Sequence, residues 1–182
     1  FAKVFGQLFG RHFLQVSDPK HLVGSFNAHL RDCVILFGDE AFFAGCNKYL
    51  KDNEYTAVEA DELRIAMEDI TGMDLNWFWD QWFFAAGHPE LEVSHTYDAA
   101  DKTLILDVIQ KHEPTDEIPA IFVLPMTVDL YDENGTLSTY NVTVNNRNQS
   151  LALENVTSAP SAVVMDGTAS TLMTIDHAKT EA

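Results

Sequence analysis

The apolar residues of this chain keep two different periods, and the switch between them at Gly87-His88-Pro89 does most to limit its fold. Before that point, Leu63, Ala66, Met67 and Ile70 recur at i, i+3, i+4 and i+7, a stripe on one face of a helix. After it, Leu91, Val93 and His95 alternate with Glu92, Ser94 and Thr96, as in a strand with one buried face. Gly87 stops the helical pattern and Pro89 prevents it from resuming. The chain therefore reads as α+β, with helices first and strands after.

The helical zone runs from about Phe42 to Gly87. Thr56-Ala57-Val58-Glu59 predicts a capping box, with hydroxyl and carboxylate satisfying orphan amides at a helix start. Gly72 suits the left-handed position after that helix, and Asp74 suits the cap of the next, LNWFWDQWFFAA. In that second helix Leu75, Phe78, Trp79, Trp82, Phe83 and Ala86 wrap most of the circumference, which predicts burial on more than one side. Trp77, Phe78, Trp79, Trp82 and Phe83, with His88 and Pro89 beyond them, are the candidates for a clamp between two domains. An aromatic cluster can also line a ligand box, but only Asp80 and Gln81 bring polar groups to this one.

From Glu90 onward, short alternating runs are separated by turn residues. Asp98–Asp101 is a turn leading into Thr103–Gln110, and Asp132-Glu133-Asn134-Gly135 is a hairpin between IFVLPMTVDLY and LSTYNVTV. Pro125 predicts an edge position or a bulge in the first of these. SLALE, SAVVMD and TLMTID complete six to eight strands at roughly ten-residue spacing, the pattern of an antiparallel sandwich.

Residues 1–45 differ from the rest. They are apolar and irregular, with a strand expected at Cys33–Phe37 that ends on Asp39 and Glu40. Residues 1–50 carry five Lys or Arg against four acids, whereas 51–182 carry six against 24. The acidity argues against a nucleic-acid backbone as partner, and no apolar run nears the ~20 residues of a membrane span. FAKVFGQLFGRHF holds Arg11 and His12 and lacks a small-residue cleavage site, so it reads as the interior of a larger protein rather than a signal peptide. Cys33 and Cys46 read as buried thiols.

No complete active site is visible. Val34–Glu40 has the form of an acidic strand end that holds Mg²⁺, yet no Gly is followed by Lys, so the phosphate cradle is missing. H-E-x-x-H and Cys-x-x-Cys are absent, as is Gly-x-Ser-x-Gly. No catalytic or metal-binding residue is assigned. Sequons start at Asn134, Asn141, Asn148 and Asn155 and matter only in a eukaryotic secreted protein.

From about Gly38, GDEAFFAGCNKYLKDNEYTAVEADELRIAMEDITGMDLNWFWDQWFFAAGHPELEV resembles the zinc aminopeptidases of the aminopeptidase N family. The resemblance implies the helical end of a thermolysin-like catalytic domain, then, after Gly87-His88-Pro89, an Ig-like β-sandwich. It also implies a parent reaction, zinc-dependent hydrolysis of N-terminal residues from peptides. The family's zinc-binding and amino-terminus-recognising motifs lie upstream of this segment, and its catalytic tyrosine has no match here, because no Tyr precedes Tyr49. Residues 1–45 are instead similar to the ATPase segment of virus- and phage-type primase–helicases, which would make Asp39 and Glu40 nucleotide-site acids. Three pieces are therefore expected: 1–45 of separate or degenerate origin, 46–88 helical, and 89–182 a β-sandwich. The expected role is a carboxyl-side fragment, inactive alone and binding no zinc itself, whose partner is the remainder of the peptidase and whose peptide substrate belongs to the intact enzyme. Alternatives are a stand-alone sandwich binding module and a nucleotide-dependent remnant.

Overall fold

The computed structural model describes the backbone of residues 19–167 and 171–177, and side chains from Cys33 onward except those of Ile35 and His177. It divides into two compact units between Trp79 and Asp80.

The first unit is helical. α1 spans Pro19–Asp52, and Gly38 interrupts it with φ 81° and ψ 162°, a conformation open essentially to glycine alone. Residues 33–37, expected as a strand, are instead part of α1. A short apolar run does not distinguish strand from buried helix, and a helix satisfies its own backbone where no neighbouring strand is present. Beyond the interruption, Phe42, Cys46 and Tyr49 are buried at helical spacing. Cys33 and Cys46 are both buried thiols, as their sequence context suggested.

α2 spans Ala60–Thr71 and buries Ala60, Leu63, Ala66 and Met67. The capping box forms three residues later than expected: Glu59 is the cap, and its amide donates to Glu62 Oε2 at 2.7 Å. Thr56 is committed elsewhere, its hydroxyl donating to the Asn53 carbonyl at 2.9 Å beyond the end of α1. Gly72 closes α2 in the left-handed conformation, its amide donating to Glu68 O. Gly45 is buried where a Cβ would run into the Met67 thioether, so a glycine lets α1 and α2 approach. Arg64 pairs with Glu68 at 2.8 Å, and the other Glu68 oxygen accepts the Leu75 amide at 2.9 Å.

α3 spans Asn76–Trp82. Asp74, expected as its cap, lies one residue too early: Leu75 holds that place, its carbonyl accepting the Phe78 and Trp79 amides, while Asp74 accepts the Asn76 amide at 3.0 Å. The helix stops four residues short of the expected end. Ala86 donates its amide to Glu117 O at 2.8 Å, and Gly87 follows at φ 83°.

The second unit is a two-layer sandwich of β1 (Glu90–Asp98), β2 (Thr103–Gln110), β3 (Leu124–Tyr131), β4 (Leu137–Val144), β5 (Asn148–Leu153), β6 (Ala162–Met165) and β7 (Thr174–His177). One sheet has the order β5-β2-β1-β7 and the other β4-β3-β6. All pairings are antiparallel except that β7 runs parallel to β1. The inner faces follow the two-residue period: Leu91 and Val93 on β1, Leu104, Leu106 and Val108 on β2, and Leu124, Met126, Val128 and Leu130 on β3. Pro125 lies on the central strand of its sheet, at the end where β3 pairs only with β4, because β6 reaches no further than Val128. A missing N–H is tolerated at such a local edge. The turn at Asp98 forms as expected, its carboxylate accepting the Ala100 and Asp101 amides.

Burial pushes the Cys46 thiol up to about 11 and, with a smaller contribution from Glu62, the Tyr49 phenol up to about 12. Raised acid pKa values favour the neutral forms in the fold, so their stabilisation is complete below the unfolded values and is lost as pH climbs through the folded ones. The helical unit is expected to lose stability as pH rises from 9.0 toward 11, with Cys46 slow to react with an alkylating agent below that interval. Melting temperature against pH, with alkylation rates alongside, checks this. A flat profile with fast alkylation would contradict it.

Candidate functional site

Between β2 and β3 the chain runs from Lys111 to Val123 without a strand. Buried peptide groups at the end of that passage need hydrogen-bond partners from outside a sheet. Gln110, fully buried at the end of β2, supplies them for Phe122: Nε2 donates to the Phe122 carbonyl at 2.9 Å and Oε1 accepts the Phe122 amide at 2.9 Å. Gln81, also buried, repeats the arrangement one residue on, donating to the Val123 carbonyl and accepting its amide, both at 2.9 Å. A primary amide carries donor and acceptor side by side, so each glutamine takes the place of a rung in a strand ladder. Gln110 Nε2 also reaches the Asn146 carbonyl at 3.3 Å.

Phe122, with no solvent exposure, is held between two rings, Trp82 at 5.4 Å and His112 edge-on at 5.0 Å. His112 is itself buried, and its Nε2 lies 3.0 Å from the Pro119 carbonyl, which can only accept. Nε2 therefore carries a proton, and Nδ1 is buried without a hydrogen-bond partner among the described residues. Gly87 packs close by, where a Cβ would crowd Ile118.

The proposed clamp residues divide between the units. Phe78 and Trp79 are buried in the helical unit, and Trp79 Nε1 donates to the Ala60 carbonyl at 3.1 Å. Trp77 there is half-buried, as is Phe83 in the strand-rich unit, where Trp82 is buried. His88 is exposed, 3.9 Å from Glu90, and buried Pro89 accepts the Thr174 amide at 3.0 Å. Asp39 and Glu40 follow Gly38 inside α1 with exposed side chains. Among the described residues, no three His, Cys, Asp or Glu side chains are grouped to hold a metal ion.

A cleft of about 530 Å³ opens between β4 and β5, the edge strands of the two sheets. Tyr140 bridges it by donating to the Glu154 carbonyl at 3.3 Å, and Gln149 Nε2 donates to the Thr143 carbonyl at 2.9 Å. Val142, Leu151 and Leu153 give it an apolar lining, and Glu154 is its one charged residue. Glu154 and Tyr140 are the titratable residues of its lining, and the Tyr140 hydroxyl is turned to the Glu154 backbone carbonyl.

Residues 87–173 match a family described as a domain of unknown function (DUF3458) with an Ig-like fold. Aminopeptidase N of Haemophilus influenzae is 36% identical over 103 residues, which are 56% of this chain and 12% of that protein. Over those residues the chain is similar to aminopeptidase N. Glutamyl aminopeptidase of Bitis rhinoceros is 32% identical over 102 residues, 52% of this chain and 11% of that protein. A crystal structure of Legionella pneumophila aminopeptidase A in complex with aspartic acid shares the fold over 84% of this chain and 17% of that one, with a TM-score of 0.71 at 21% identity. That coverage exceeds the strand-rich unit alone, so the likeness extends into the helices. The chain spans about 12% of the length of the first of these relatives.

Sequence reasoning singled out the aromatics, named Gln81 only as a polar group beside them, and missed Gln110 and His112. The signal was present: Leu104, Leu106, Val108, Gln110 and His112 share one parity, which puts two polar groups on a buried face. Gln110→Met should leave the Phe122 N–H and C=O buried and unpaired, at about 1–3 kcal/mol for each group. Gln110→Glu should be pH-dependent in a defined direction. A protonated carboxyl can both donate and accept, and burial raises its folded pKa, so stability is present at low pH and is lost as pH rises through that value. Urea unfolding of both variants across pH checks this, and a pH-independent Gln110→Glu would contradict the two-point contact.

Proposed function

We propose that this chain is a carboxyl-side, non-catalytic portion of a zinc-dependent aminopeptidase: the helical end of its catalytic domain followed by its Ig-like sandwich. The observation that carries the reading is the 36% identity to aminopeptidase N of Haemophilus influenzae in a chain spanning 12% of that protein. In the intact enzyme a zinc ion would polarise the peptide carbonyl and activate water, releasing the N-terminal residue. The residues present here do not fit that ion, since H-E-x-x-H is missing and no suitable cluster of donors exists among the described residues. No step of hydrolysis is therefore assigned to this chain, and its partner is the remainder of the peptidase. The purified chain, supplied with zinc and a fluorogenic amino-acid amide, should show neither turnover nor stoichiometric metal. Turnover with bound zinc would overturn the reading.

We infer further that α3 couples the two units, because the boundary falls within it and it contributes Trp79 to one core and Trp82 to the other. Trp79→Ala and Trp82→Ala should each cost about 3–5 kcal/mol. Each should also shift a single shared melting transition. Two independent transitions, only one of them moving, would contradict the coupling.

A stand-alone binding module draws support from the β4–β5 cleft. A nucleotide role for Asp39 and Glu40 draws only on their adjacency, since the strand end it requires is helix here.

A further inference from the structure

The β3–β4 hairpin contains the one Asn-Gly step in the sequence, Asn134-Gly135, and both residues are exposed. Glycine offers no Cβ to hinder attack by its own amide nitrogen on the preceding side chain, and the space around Gly135 is open. The turn nevertheless restrains that nitrogen. Gly135 donates its amide to the Asp132 carbonyl at 3.0 Å with φ at 79°, while Asp132 Oδ1 accepts the amides of Asn134 and Thr136, each at 2.8 Å. Asp132 N–H in turn donates to the Thr136 carbonyl at 3.1 Å. A single aspartate thus fixes the turn in which the nucleophile is engaged elsewhere.

We propose that Asn134-Gly135 is a spontaneous modification site of this chain, with Asp132 as the gate that sets its rate. The Gly135 nitrogen gives its proton to solvent base and bonds to Asn134 Cγ, and the side-chain nitrogen leaves as ammonia. Water then opens the resulting succinimide at either carbonyl, giving aspartate or an isoaspartyl linkage. No electrons are transferred, and water is the only co-reactant. Either product adds a carboxylate to a chain of net charge −17. The isoaspartyl form also lengthens the backbone of the turn by one carbon, between strands whose register is Tyr131 with Leu137 and Leu130 with Ser138. Register in a hairpin is set by its turn, so this form loosens β4, an edge strand and one wall of the cleft.

The test uses the whole folded chain, incubated at mildly alkaline pH and sampled over weeks by peptide mass spectrometry and enzymatic methylation of isoaspartate. The peptide containing Asn134 should accumulate acid product, largely isoaspartyl, faster than any other asparagine peptide, and Asn134→Gln should abolish it. Asp132→Ala should raise the rate several-fold. Asp132→Asn, which keeps an acceptor oxygen, should stay near the parent rate. No product at Asn134 in the folded chain would overturn the site. Asp132→Ala at the parent rate with an unchanged near-ultraviolet dichroism spectrum would overturn the gate, and so would Asp132→Asn reacting as fast as Asp132→Ala.

Discussion

The peptide groups of Phe122 and Val123 are hydrogen-bonded on both counts by side-chain amides, from Gln110 and Gln81 respectively. The strand-rich unit depends on this substitution. A chain leaving β2 and re-entering as β3 has to cross between sheets, and there it has no strand on either side to satisfy it. An unmet buried donor or acceptor costs about 1–3 kcal/mol, so four such groups would rival the net stability of a small domain. With them met, Phe122 can be buried completely and fill the space between Trp82 and His112.

The helical unit rests on a different device, the placement of glycine. Gly38 redirects α1 with a backbone that other residues resist, and Gly45 removes the side chain that would keep α1 from Met67. Its caps are built from carboxylates: Glu59 with Glu62 at the start of α2, and Glu68 accepting the Leu75 amide ahead of α3. In so acidic a chain, several of the carboxylates are therefore occupied with backbone amides rather than forming a solvated face. Asp132 and Asp74 belong to the same group, and hydrogen bonds from neighbouring amides hold both below the usual carboxylate range.

The chain spans about 12% of the length of aminopeptidase N of Haemophilus influenzae, and no three metal-ligating side chains are grouped among its described residues. The Ig-like match ends at residue 173 and begins at Gly87, the residue at which the apolar period changes. The aromatic helix was legible as a buried element because an apolar residue faced almost every direction. The partners of Gln81 within it and of Gln110 on β2 were not, because a polar residue in an apolar pattern states that it needs a partner without stating which.

By itself the sequence determined the order of elements, the change from helix to sandwich, the two acidic turns and the Gly72 cap. Each of these depends on local period or on the φ preference of one residue. Only the tertiary structure decided that residues 33–37 are helical, that Glu59 rather than Thr56 caps α2, and that Pro125 lies on a central strand beyond the reach of β6. It alone decided the parallel pairing of β7 with β1 and the partners of Gln81 and Gln110. The physical reason is common to all of these. Each is a competition between hydrogen-bond partners or neighbours, and which of them is within reach depends on residues distant in the chain or on how the preceding helix happens to end.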